Sequence, residues 1–64
     1  MKVKNIAEEE ITVSMTTEEL AIINNALNEV CHALDTADFQ TRMGGTLAEA
    51  QQLLAQIAEV LGAV

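Results

Sequence analysis

The hydrophobic positions of this chain change period once, from two to about 3.6. Ile11-Thr12-Val13-Ser14-Met15 alternates apolar and polar residues, placing Ile11, Val13 and Met15 on one face of a half-buried strand. Lys2-Val3-Lys4-Asn5-Ile6 is a second strand candidate, and Ala7-Glu8-Glu9-Glu10 would close the two into a hairpin. That connection has no Gly, Asn or Asp, the residues a tight two-residue turn favours. From Thr17 onward the period is helical. Leu20, Ile22, Ile23, Ala26, Leu27, Val30, Cys31, Ala33 and Leu34 cover an arc of about 180°, with Asn24, Asn25, Asn28, Glu29 and His32 opposite. A second set, Leu47, Ala50, Leu53, Leu54, Ile57, Ala58, Val60 and Leu61, fills about 160°, and Glu49, Gln51, Gln52, Gln56 and Glu59 face water.

The helix ends are marked by chemistry. Thr16 followed by Glu19, and Thr46 followed by Glu49, have capping-box spacing: the hydroxyl and the carboxylate satisfy backbone N–H groups that lack helical partners. Gly62 stands where the last helix should stop. Between the helices, Asp35-Thr36-Ala37-Asp38 breaks the pattern, and Phe39-Gln40-Thr41-Arg42-Met43 has the length of one short helical turn closed by Gly44-Gly45. The expected fold class is α+β in a single domain, 1–64. A β segment, 1–15, with one short strand or a hairpin, precedes a two-helix hairpin built from 17–34, a connection over 35–45, and 46–61.

Composition turns this architecture toward self-association. The chain has 64 residues, half of them hydrophobic, with ten acidic side chains against three Lys and Arg, for a net charge of −7. A disordered chain would be polar as well as charged. Sixty-four residues make a small core, and arcs as wide as these want partners on two sides. A C2 homodimer in which two helical hairpins form a four-helix bundle, with a small sheet shared between the chains, satisfies both demands. With one aromatic residue, Phe39, and three cations, the chain is poorly equipped to stack bases or hold phosphates, so no nucleic-acid partner is expected. No apolar run approaches the roughly 18 to 20 residues of a membrane span, nor does the N-terminus read as a signal peptide. Cys31, the single cysteine, cannot form an internal disulfide. These features point to a cytoplasmic protein.

The candidate chemistry is thin. Glu29 and His32 have the Glu-x-x-His spacing of di-iron bundles, but both fall on the polar arc, away from any inward-facing carboxylates, so no metal or other cofactor is expected. Cys31 reads as a small apolar residue, since no second cysteine or cation adjoins it to activate the thiol. Asp35 and Asp38 have ordinary turn and cap roles, and Ser14 and His32 have no companion acid to form a triad. Gly44-Gly45 lacks the Lys-Ser/Thr of a phosphate loop. Residues 39 to 54 have the order of a helix-turn-helix reader, yet the would-be recognition helix has no Lys or Arg and two Glu. An enzyme is not expected. What stands out is the polar group Asn24, Asn25 and Asn28, together with Arg42. These side chains could bond the segment 35–43 or a partner.

The run Asn24-Asn25-Ala26-Leu27-Asn28-Glu29-Val30-Cys31, followed by Phe39-Gln40-Thr41-Arg42 and Gly44, resembles a group of short bacterial proteins without an assigned activity. The similarity spans residues 16 to 56. It implies a bacterial source and transfers no catalytic residue. The expected function is therefore a non-enzymatic protein–protein interaction module acting as a homodimer. The alternative is an acidic immunity or antitoxin-like protein whose charge neutralises a basic toxin or nuclease.

Overall fold

The computed structural model describes all 64 residues, Met1 to Val64. In chain order these form β1 (Lys2–Ile6), β2 (Ile11–Ser14), α1 (Thr17–Ala33), α2 (Thr36–Met43) and α3 (Leu47–Gly62). The two strands pair antiparallel, with Lys2 opposite Ser14, Val3 opposite Val13, Asn5 opposite Thr12 and Ile6 opposite Ile11. The register shifts between Val3 and Asn5, making Lys4 the extra residue of a β-bulge. That bulge has a consequence for the faces. Val3 and Ile6 are three residues apart and would point to opposite sides of a regular strand. The inserted Lys4 brings both onto the face that Ile11 and Val13 occupy. The tip, Glu8-Glu9, is closed by the Ala7 N–H donating to the Glu10 carbonyl at 2.9 Å, and no residue other than glycine has positive φ. The turn therefore dispenses with the left-handed residues that type I′ and II′ hairpins require.

Both capping boxes form. The Thr16 hydroxyl accepts from the Glu19 N–H at 3.1 Å, and the Glu19 carboxylate accepts from the Thr16 N–H at 2.9 Å. Thr46 and Glu49 repeat these two bonds at 3.1 and 2.9 Å. The connection is more helical than one turn over Phe39–Met43. It is an eight-residue helix that starts at Thr36, with Asp35 at the N-cap making no side-chain cap bond. Gly44 ends it in the left-handed conformation, φ 78°, its N–H donating to the Gln40 carbonyl at 2.9 Å.

α1 packs on α3, and α2 lies against α3. Leu27, in the second half of α1, shares a groove with Ala50 and Leu53, in the first half of α3, so the two long helices run antiparallel as the legs of a helical hairpin. The inward stripe of α1 is Leu20, Asn24, Leu27, Cys31 and Leu34, all half-buried, and that of α3 is Leu47, Ala50, Leu54, Ile57 and Leu61. Phe39 of α2 plugs the layer and is 1% exposed; Ala50 is the other buried residue.

Two expectations change here. The apolar arc of α1 is centred differently: Asn24 turns inward, while Ile22 and Ile23 turn out. A helix with a 180° apolar arc facing a single partner helix covers only about half of it. The ribbon, moreover, is not half-buried. Val3, Ile6, Ile11 and Val13 are all exposed, because no helix packs on the hairpin. Its visible tie to the helices is an ion pair between the Met1 ammonium and the Glu19 carboxylate, neither of them buried.

Candidate interaction surface

The residues expected to form one polar cluster occupy three settings. Asn24 lies in the inward stripe, and its Oδ1 is buried without a hydrogen-bond partner. Asn25 and Asn28 are exposed on the outer face of α1, where the Asn28 carbonyl lies 2.7 Å from His32 Nδ1. Arg42 is exposed in the last turn of α2, where its charge opposes the negative end of that helix's dipole. No hydrogen bond joins the four side chains. The signal that could have separated Asn24 from its neighbours is the spacing Leu20, Asn24, Leu27, Cys31, Leu34, a strict four-three alternation in which Asn24 is the sole polar member.

Glu29 and His32 are both exposed, and no group of three His, Cys, Asp or Glu residues is placed to hold a metal ion. Cys31 is a free, half-buried thiol in the α1–α3 seam. Two carboxylates are shifted. The Met1 ammonium, with the Thr16 N–H behind it, holds Glu19 below the ordinary carboxylate value, and the Thr46 N–H and hydroxyl do the same for Glu49. The Glu49 shift comes from capping geometry, whereas that of Glu19 comes first from the N-terminal ammonium and only then from its cap.

What the chain presents to a partner is apolar. Ile22 is 69% exposed, Leu53 54%, and Ile23 and Val60 are also open. At 100° per residue, Ile23 and Ala26 on α1 lie about 60° and 120° from the inward direction and Leu53 and Val60 on α3 about 80° and 100°, all in the same rotational sense, while Ile22 lies nearly opposite the seam. On antiparallel legs, equal displacement places both stripes on one side of the layer. α2 covers one end of that side, leaving an open groove of about 290 Å³ lined by Leu27, Phe39, Met43, Ala50 and Leu53 among others. The rest of the side is uncovered. The second apolar surface is the ribbon face of Val3, Ile6, Ile11 and Val13. The long helices carry Glu18, Glu19, Glu29, Glu49 and Glu59 and no Lys or Arg. No helix is long and apolar enough to cross a membrane. In comparisons with protein-family models, curated proteins and solved structures, nothing matches this chain.

Proposed function

We propose that this chain is a non-enzymatic bacterial interaction module of the cytoplasm that works as a homodimer, pairing the open side of its α1–α3 layer with a second copy in a four-helix arrangement. The observation that carries this reading is where the apolar residues lie. Two residues are buried, whereas Ile23, Leu53 and Val60 form an uncovered side on the helical pair and Ile22 is an exposed apolar residue behind its rim. The shape agrees. The radius of gyration is 13.0 Å, against about 11 Å for a compact domain of this length. The smallest principal extent is 15 Å, little more than one helix layer. A second layer on the open side supplies the missing half of a bundle core.

Sedimentation analysis of the untagged chain tests this, with a species of twice the 6.9 kDa chain mass expected. Ile23→Glu and Leu53→Glu fall at exposed sites and should give helical monomers. A wild-type chain that is monomeric at tens of micromolar would refute the reading. The absence of cations from both long helices favours a second reading, in which the acidic outer faces engage a basic partner protein. Native mass spectrometry of the protein from its source cells separates the two: one mass is the bare dimer, the other includes a basic second polypeptide.

A further inference from the structure

The two edges of the ribbon differ. β1 carries the features by which proteins blunt an edge strand, a β-bulge at Lys4 and two lysines, Lys2 and Lys4. β2 has none of them: from Ile11 to Ser14 there is no charge, proline, glycine or bulge, and three of the four residues are β-branched. An unblunted strand of this composition is a template for pairing with another strand. A two-stranded ribbon on its own is marginal, while four strands with one apolar face are not.

We infer that the β2 edge pairs antiparallel with β2 of a second copy, with Thr12 on the two-fold axis, to give a four-stranded sheet of order β1-β2-β2-β1. This extends the homodimer reading and rests on it. The backbone is in phase for this register. The Ala7–Glu10 bond makes that pair the hydrogen-bonded one, so by alternation Ile11 and Val13 direct their N–H and C=O groups away from β1. Ile11 then bonds to the partner's Val13, and Val13 to the partner's Ile11, while the two Thr12 residues form a closer, non-hydrogen-bonded pair.

The side chains also match row by row. On one face the rows read Val3, Val13, the partner's Ile11, the partner's Ile6, and the symmetric equivalent, so eight aliphatic residues form one continuous surface. On the other face the central row is Asn5, Thr12, the partner's Thr12 and the partner's Asn5, wholly polar. Charge is complementary at the ends. Glu10, beside the acidic tip of one hairpin, lies in the row of the partner's Ser14 and Lys2, with only the small serine between the opposite charges. Pairing through β1 would instead bring a bulged, lysine-bearing edge against its own copy.

The test places charge on the two-fold. Thr12 is exposed in the protomer, so Thr12→Lys and Thr12→Glu should each keep the wild-type circular dichroism. In the shared sheet each sets like charges directly opposite one another, and each variant alone should sediment as a monomer at concentrations where wild type is a dimer. An equimolar mixture should restore the dimer, with native mass spectrometry showing one Lys and one Glu chain per particle. Dimers formed by either variant alone, or a mixture that stays monomeric, would overturn the shared sheet and leave the helix-face dimer standing. A monomeric wild type would overturn both.

Discussion

Phe39 is the side chain on which the helical layer depends most. It is the one large residue withdrawn from water, at 1% exposure, and the one buried residue of α2. A buried aromatic side chain removes about 150–250 Å² from solvent, worth about 4–6 kcal/mol at 25 cal/mol per Å². Phe→Ala substitutions in cores cost about 3–5 kcal/mol. At about 0.05–0.15 kcal/mol per residue, a chain of 64 residues has only about 3–10 kcal/mol of stability in total. Phe39→Ala should therefore remove about a third of the stability or more, and α2 should loosen from α3, since Phe39 is its one buried residue. Urea titration followed at 222 nm, at fixed protomer concentration because association contributes to stability, reads the effect. The midpoint should fall steeply, with Phe39→Leu intermediate. A loss below about 1 kcal/mol would mean that the α1–α3 seam holds the layer without its plug.

Three further outcomes follow from single atoms. Asn24→Leu removes a buried carbonyl oxygen that has no partner and should stabilise the chain by about 1 kcal/mol, raising the melting temperature by about 4–8 °C; a lower melting temperature would show that the amide is bonded in solution. At Gly44, φ 78°, an added Cβ meets nothing within 4 Å, so Gly44→Ala should cost only the backbone term of about 1–2 kcal/mol, whereas Gly45→Ala, with Glu49 Oε1 at an ordinary 3.7 Å, should be close to neutral in the same thermal melt. Glu19 and Glu49 have folded-state values below their unfolded ones, so their contribution is complete above the ordinary carboxylate range and is lost as pH falls through the lowered values. The acid limb of the melting temperature against pH should accordingly flatten in Glu49→Gln, and an unchanged limb would show the capping carboxylate to be idle.

The elements with local chemical signals were legible in the sequence. Thr16 with Glu19 and Thr46 with Glu49 set the starts of α1 and α3 because a capping box is decided within four residues. The alternation of Ile11 and Val13 is enough to place β2, which ends at Ser14, one residue short of Met15. Harder to read was the bulge at Lys4, which nothing in Lys2–Ile6 announces. The start of α2 at Thr36 was also hidden, because the packing of Phe39 supports a first turn that Asp35 does not cap. Period analysis finds the width of an apolar arc but not the direction in which its partner lies. That is why the sequence sets Asn24, at the margin of the arc, with the polar face, and why the candidate cluster with Asn25, Asn28 and Arg42 is divided between the seam and the surface.

The position of Asn24 bears on how a thin layer keeps one arrangement. The inward stripe of α1 steps by four and three residues through Leu20, Asn24, Leu27, Cys31 and Leu34, and α3 answers with Leu47, Ala50, Leu54, Ile57 and Leu61. Seams of aliphatic residues at this spacing slide readily between registers, and a single polar residue at such a position fixes the register at some cost in stability. Asn24 bears that cost as an unpartnered oxygen within the protomer. In Asn24→Leu the same helices would gain stability and lose the only polar mark along the α1 seam. A variant that melts higher yet shows more than one oligomeric species by native mass spectrometry would mean that Asn24 acts in specificity. A higher melting temperature with a single unchanged species would refute that role and leave Asn24 a simple destabilising residue.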